Sequence, residues 1–404
     1  MPARRLARLG ATLEFLHGLL AAQRRRRTAV LFALIAILAP PRSAGAYSVL
    51  AHESNIDALW DAQIRPLLLA KYPRTSAHAL AQARAYAYGG SVIQDLGYYP
   101  FGSAFFTNLL HYVKAGDFVG ALFRDARNVN DYAFAIGALS HYASDEEGHV
   151  LAVNKAVPII YPKLRRKFGD TVPYDKAPKE HILVEFAFDV LLVAQGGYKL
   201  QAYHDYIGFK VATPLLERAF RETYGLEMKD LFLDEDLAIG TFRHAVGTTI
   251  PNVTRVAWEK KHDQILKTTP GAVREEFVLT LPRTAYQQEF GSDYMKPHGF
   301  ARVLGWVYML LPKIGPLRPL SFKVPTPEAE HLFLDSLART RAKFAEALRG
   351  VSRGDVRFAN INLDTGKPAA PGQYPLADET IKELQKKLKT QPAAGVTATR
   401  ARSR

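Results

Sequence analysis

The chemistry-bearing side chains of this 404-residue chain gather in its first half. The segment HYASDEEGH sets His141, Asp145 and His149 at i, i+4 and i+8, and HILVE sets His181 and Glu185 at i, i+4. On a helix, residues four apart lie on one face, a turn above one another. His52, Asp95 and His111 add two imidazoles and a carboxylate at wider spacing. Imidazole with carboxylate, and no thiolate, is a ligand set suited to zinc. A metal held this way is an open Lewis acid, which points to hydrolysis rather than to structural use. For one pair alone, a surface ion pair is the competing account. Two pairs in apolar surroundings (residues 134–139 and 182–188) fit it less well, because a buried charge needs a partner or a metal. His331 and Asp335 are also four apart but stand alone, and read as a surface ion pair. His78, His204, His244, His262 and His298 lack an acid four residues away and read as structural; His17 lies in the leader.

Helices must position these groups. Apolar residues recur at helical spacing over 54–69 (Ile56, Leu59, Trp60, Ile64, Leu67, Leu68). Thr75 or Ser76 can cap a second helix that stops at Gly89-Gly90. The GYYPFG segment, 97–102, reads as a loop. Helical periodicity returns over 105–115, 130–143, 180–196, 211–223 and 241–262, and a last strong helix covers 326–348 with Thr326 as cap and Pro327 in its first turn. Period-two runs are scarce, so the sequence predicts an all-α protein. The Gly/Pro-rich stretch 364–377 reads as a surface loop, and residues from about 390 onward read as a disordered basic tail.

Composition narrows the functional classes. The chain has no cysteine, which excludes a disulfide scaffold, thiolate metal sites and a cysteine nucleophile. Of the formal net charge of +14, residues 1–46 carry +7 and residues 386–404 carry +6, leaving about +1 for the middle. Basicity confined to two ends is weak grounds for a nucleic-acid-binding body, and no specific nucleic-acid binding is expected. The first end has the form of a secretory signal: Arg24 to Arg27, the apolar run TAVLFALIAILA, Pro40-Pro41, then Ala44-Gly45-Ala46. Its apolar run is too short to span a bilayer, and an uncleaved N-terminal anchor is the alternative. Cleavage after Ala46 makes Tyr47 the mature N-terminus and places the protein in the periplasm or outside the cell.

In this order the residues resemble the zinc-dependent phospholipase C family, which shares its fold with the S1/P1-type single-strand nucleases. The series runs Tyr47, His52, Asp95, His111, His141-x3-Asp145, His149, His181-x3-Glu185. The resemblance implies a trinuclear zinc site. Asp95, His111, His141 and Asp145 would hold one zinc. His149, His181 and Glu185 would hold a second. The Tyr47 amine and carbonyl, with His52 and a bridging Asp145, would hold the third. Asp95 would ligate, and as the catalytic candidate it would orient or deprotonate the attacking water. The family's usual N-terminal tryptophan is tyrosine here. The gap from Asp145 to His149 is shorter than the family's by a residue or two, which brings Glu146 and Glu147 forward as substitutes for His149. Asn108 and Glu53 are candidates for orienting an imidazole. Glu185 follows the phospholipase branch, whereas the nucleases typically carry Asp.

The implied organisation is a signal peptide over 1–46, a catalytic domain over 47–265, a helical C-terminal extension over 266–389 and a tail over 390–404. The implied function is phosphodiester hydrolysis on phospholipids. A nuclease or nucleotidase on the same scaffold, and a non-catalytic, metal-stabilised envelope-binding protein, are the alternatives. Tyr98, Tyr99, Phe101, Phe105 and Phe106 follow Asp95 and either line a substrate cleft or pack the core. Residues 302–313, apolar between basic ends, either dip into a lipid interface or form a buried helix.

Overall fold

The computed structural model describes residues 49–99, 101–194, 200–268, 270–278, 288 and 322–390. The leader, Tyr47, Pro100, residues 302–313, His298 and the tail beyond Thr390 lie outside the described residues. All the described residues fall in one compact unit. They are helical almost throughout, as the periodicity predicts; the one ladder among them is a two-residue hairpin.

The centre is helix α6, Val129–Gly148. Asn128 caps it, its side chain accepting from the amides of Asn130 and Asp131, both at 2.9 Å. From Tyr132 to Asp145 every residue is buried. A helix apolar on all sides belongs in a core, and α6 is packed by α3 (Ala77–Gly90), α5 (Ala115–Asp125) and α14 (Pro327–Ser352). The α3 contact is backbone to backbone. A Cβ at Gly137 would stand 2.0 Å from the Ala87 carbonyl oxygen, and one at Gly90 would stand 2.0 Å from that of Phe134. Only glycine permits this approach.

Around this centre run α1 (Val49–Leu59), which continues through a π turn at Trp60–Ile64 into α2 (Arg65–Lys71). A 3-10 turn, Ile93–Tyr98, precedes α4 (Ala104–Tyr112). A second π turn, His149–Val153, carries α6 into α7 (Asn154–Ile160), and α8 is Pro162–Phe168. Then come α9 (Pro178–Ala194), α10 (Leu200–Ile207), α11 (Thr213–Tyr224), α12 (Glu235–Thr268) and α13 (Arg274–Phe277). After α14 follow β1 (Ile361–Asn362), β2 (Lys367–Pro368) and α15 (Pro375–Thr390). The capping expectations hold: Ser76 accepts from the Ala79 amide at 3.2 Å, and Thr326 from the Ala329 amide at 3.3 Å, with Pro327 in the first turn.

Two expectations need correction. The segment 97–102 is not wholly loop, because Gly97 and Tyr98 close the 3-10 turn. The segment 364–377 is surface loop only in its middle: residues 367–373 are mostly exposed, but Asp364 and Tyr374 are buried. The reason is tertiary, since the polar groups that would otherwise favour water find partners inside the molecule. The Leu363 amide donates to the His111 carbonyl (3.0 Å), and Asn154 Nδ2 donates to the Asp364 carbonyl (2.7 Å). Described residues on both sides of position 265 share one core, in which Phe188 of α9 stacks on Phe333 of α14 at 4.6 Å.

Candidate metal centre

Four elements bring the first five sequence-predicted residues together. His52 comes from α1, Asp95 from the 3-10 turn, His111 from the end of α4, and His141 and Asp145 from α6. All five are buried. Asp145 lies between two sets of imidazoles: Oδ1 faces His52 Nε2 at 3.4 Å, while Oδ2 faces His111 Nε2 at 3.1 Å and His141 Nε2 at 3.2 Å. Asp95 Oδ1 stands 3.4 Å from His111 Nε2 and 4.0 Å from His141 Nε2. The His52 ring stacks on His141 at 4.2 Å. Two groups able to hold a metal ion result, His52–His141–Asp145 and Asp95–His111–His141, which share His141.

A third such group is His149, His181 and Glu185, from the start of the second π turn and from α9. The single face suggested by the i, i+4, i+8 spacing therefore divides. Eight residues along a helix turn the side chain by about 80° relative to the start, and the helix widens from His149 onward. His149 accordingly faces α9 rather than the Asp145 cluster. Glu146 and Glu147 do not replace it, because both pair with Lys343 of α14, at 2.5 and 3.0 Å.

Backbone carbonyls orient three of the imidazoles. His111 Nδ1 donates to the Thr107 carbonyl (2.8 Å), His141 Nδ1 to the Ser91 carbonyl (2.9 Å), and His181 Nε2 to the Val172 carbonyl (2.6 Å). A carbonyl only accepts, so these nitrogens carry the hydrogen. In each neutral ring the other nitrogen is a lone pair aimed into the cluster. His111 Nε2 and His141 Nε2 are then 3.3 Å apart, both turned toward carboxylate oxygens. Buried acceptors facing acceptors repel unless a cation or extra protons lie between them. Asp95 Oδ1, both Asp145 oxygens and His181 Nδ1 have no hydrogen-bond partner outside these groups. This donor set fits zinc, and the carbonyl partners are the outer contacts that metal-bound imidazoles require.

The electrostatics express the same conflict. Burial opposes a charge on His111, but the hydrogen bonds and charges of Asp145 and Asp95 outweigh it and lift the imidazole to about 10. His141 is raised against burial by Asp145 and Asp95. Burial and the neighbouring His141 hold His52 well below its ordinary value, and burial lowers His181 to about 4. Burial would raise Asp145, yet His141, then hydrogen bonds from His111 and His141, hold it well below the carboxylate range.

The sequence reading missed the residues that hold the ligands in place. Thr107 acts twice. Its carbonyl orients His111, while its hydroxyl donates to the Gln94 carbonyl (2.6 Å) and accepts from the Gly97 amide (2.8 Å), fixing the turn that carries Asp95. Asp189, one turn beyond Glu185 on α9, accepts from the Leu50 and Ala51 amides at 2.9 and 3.0 Å. It thereby anchors the start of α1 next to His52. Asp364 faces His149. Of the minor candidates, Glu53 is buried and Asn108 half-buried. Phe106 packs in the core between Phe220 and Phe232, whereas Tyr98 lies 6.0 Å from the His111 ring. His331 and Asp335 form the expected exposed pair at 3.5 Å.

No helix among the described residues is long and apolar enough to cross a membrane. The family model for zinc dependent phospholipase C matches residues 58–233. No curated protein and no solved structure matches the chain.

Proposed function

We propose that the chain is an exported phosphodiester hydrolase that releases phospholipid headgroups at a three-zinc centre, a reading supported by the match of residues 58–233 to the zinc dependent phospholipase C family model. The carrying observation is the buried convergence of lone pairs from His111, His141, Asp95 and Asp145. In this reading Asp95, His111, His141 and Asp145 hold one zinc, and His149, His181 and Glu185 hold another. The amine and carbonyl of Tyr47, with His52 and Asp145, hold the third. The anchoring of α1 by Asp189 supports that assignment, because it fixes the chain three residues after Tyr47 beside α9.

Bound zinc supplies Lewis acidity, lowering the pKa of water and offsetting the charge of the phosphate. The chain's own groups supply position and proton handling. Asp95 is the candidate to orient the attacking water or take its proton, since Oδ1 has no hydrogen-bond partner outside the cluster. Asp145 keeps the two imidazole sets at fixed separation through its two oxygens. The carbonyls of Thr107, Ser91 and Val172 hold the rings, so little reorganisation accompanies the reaction. The signal-like leader supports export, and Glu185 in place of Asp supports a lipid over a nucleotide substrate.

The test is headgroup release from phosphatidylcholine vesicles by the mature protein, run beside hydrolysis of single-stranded DNA at equal enzyme concentration. Exhaustive chelation should abolish lipid turnover, and added zinc should restore it. Turnover that survives chelation, or DNA cleavage that outpaces lipid hydrolysis, would refute the assignment.

A further inference from the structure

We propose that Asp364 is a positioning residue of the centre, the carboxylate partner of His149, so that the C-terminal hairpin completes the His149–His181–Glu185 group. The inference rests on the zinc reading above and extends it to a residue more than one hundred positions beyond the family match.

The carboxylate is built in before His149 is considered. Asp364 is 1% exposed. Its Oδ2 accepts from the Tyr174 amide (3.0 Å) and the Tyr374 hydroxyl (2.7 Å), which fixes the carboxylate plane. Its Oδ1 is left facing His149 Nδ1 at 3.0 Å and has no other partner. A fully buried carboxylate oxygen aimed at one imidazole nitrogen is unfavourable unless that contact is used.

The hairpin is shaped to deliver it. Asn362 Oδ1 accepts from the amides of Asp364 (3.0 Å) and Thr365 (3.1 Å), which closes the tip. Gly366, at φ 66°, rests on the π turn: a Cβ there would stand 2.8 Å from Val150 Cγ2. The Asp364 carbonyl takes Asn154 Nδ2, and the Leu363 amide takes the carbonyl of His111. The same short segment therefore touches the helix carrying one ligand group and the turn carrying another. His181 gets its orienting acceptor from the Val172 backbone; His149, lacking one, gets it from Asp364. With Nδ1–H held, Nε2 is the lone pair left for a metal, and such outer carboxylates typically change metal affinity about 10–100-fold.

Zinc alone is the probe, on the full mature chain. Wild type is compared with Asp364→Ala, Asp364→Asn and Tyr374→Phe by zinc retained against graded chelator and by the visible spectrum of the cobalt-loaded protein. Asp364→Ala should bind one zinc about 10–100-fold more weakly and alter the cobalt spectrum. Asp364→Asn, which keeps an acceptor for Nδ1–H, should lie between it and wild type. It also answers the question if the alanine variant does not fold. Tyr374→Phe, which removes one of the two donors that fix the carboxylate, should lower the melting temperature and weaken zinc binding less than Asp364→Ala. Wild-type zinc affinity and cobalt spectrum in both Asp364 variants, with only melting temperatures lowered, would overturn the proposal as a merely structural role. A wild-type chain that takes up no zinc would instead overturn the reading on which it rests.

Discussion

Zinc uptake by this protein should expel at least one proton at neutral pH. His111 and His141 each spend Nδ1 on a backbone carbonyl, so the nitrogen offered to a metal is Nε2. In the metal-free chain both Nε2 atoms face Asp145 Oδ2, at 3.1 and 3.2 Å. Protons there relieve the repulsion, which is why His111 is lifted to about 10 and His141 is lifted also. A cation must displace the proton on His111, which makes the apparent zinc affinity rise at least about 10-fold from pH 7 to pH 8, about 1.4 kcal/mol. An exposed histidine pair, already neutral above about pH 6.5, would show almost no slope over that interval. His52 and His181 are pushed downward and add no proton there. The measurement is calorimetric titration of the metal-free chain with zinc in buffers of different ionisation enthalpy, backed by chelator competition at the two pH values. Full zinc uptake with proton release near zero at pH 7.5 would refute the reasoning. The stability of the metal-free chain follows with opposite sign. The raised His111 stabilises it fully below about pH 6.5, and this contribution is lost as pH rises through about 10.

Two substitutions test the scaffold behind the ligands. Gly137→Ala places a Cβ 2.0 Å from the Ala87 carbonyl, so α3 and α6 must part by more than about 1 Å to regain ordinary contact. The Ser91 carbonyl moves off His141 with them. The expected cost is about 1–3 kcal/mol in urea unfolding, with weaker zinc retention, and wild-type behaviour in both would exclude this account. Thr107→Val keeps the carbonyl under His111 but strips the hydroxyl that ties the Asp95 turn. It should lose about 1–3 kcal/mol by thermal unfolding and depress turnover, whereas unchanged turnover would show that the turn holds Asp95 without it.

Periodicity and residue type carried the helical class, the caps at Ser76 and Thr326, and the set of imidazoles and acids from His52 to Glu185. Those features are local: a helical face, a cap or a ligand pair is written within a few residues. What the folded chain decided is how the set divides. Helical phase and the π turn at His149 send that residue to α9, while Asp145 stays with His52 and His111. The orienting groups were illegible for a different reason. The Thr107, Ser91 and Val172 carbonyls belong to every residue type, so no side-chain pattern marks them. Asp189 and Asp364 act on partners 139 and 215 positions away by numbering. A carboxylate in a Gly/Pro-rich stretch reads as solvated until the donors that bury it are brought alongside, and only packing against Tyr174 and the second π turn does that.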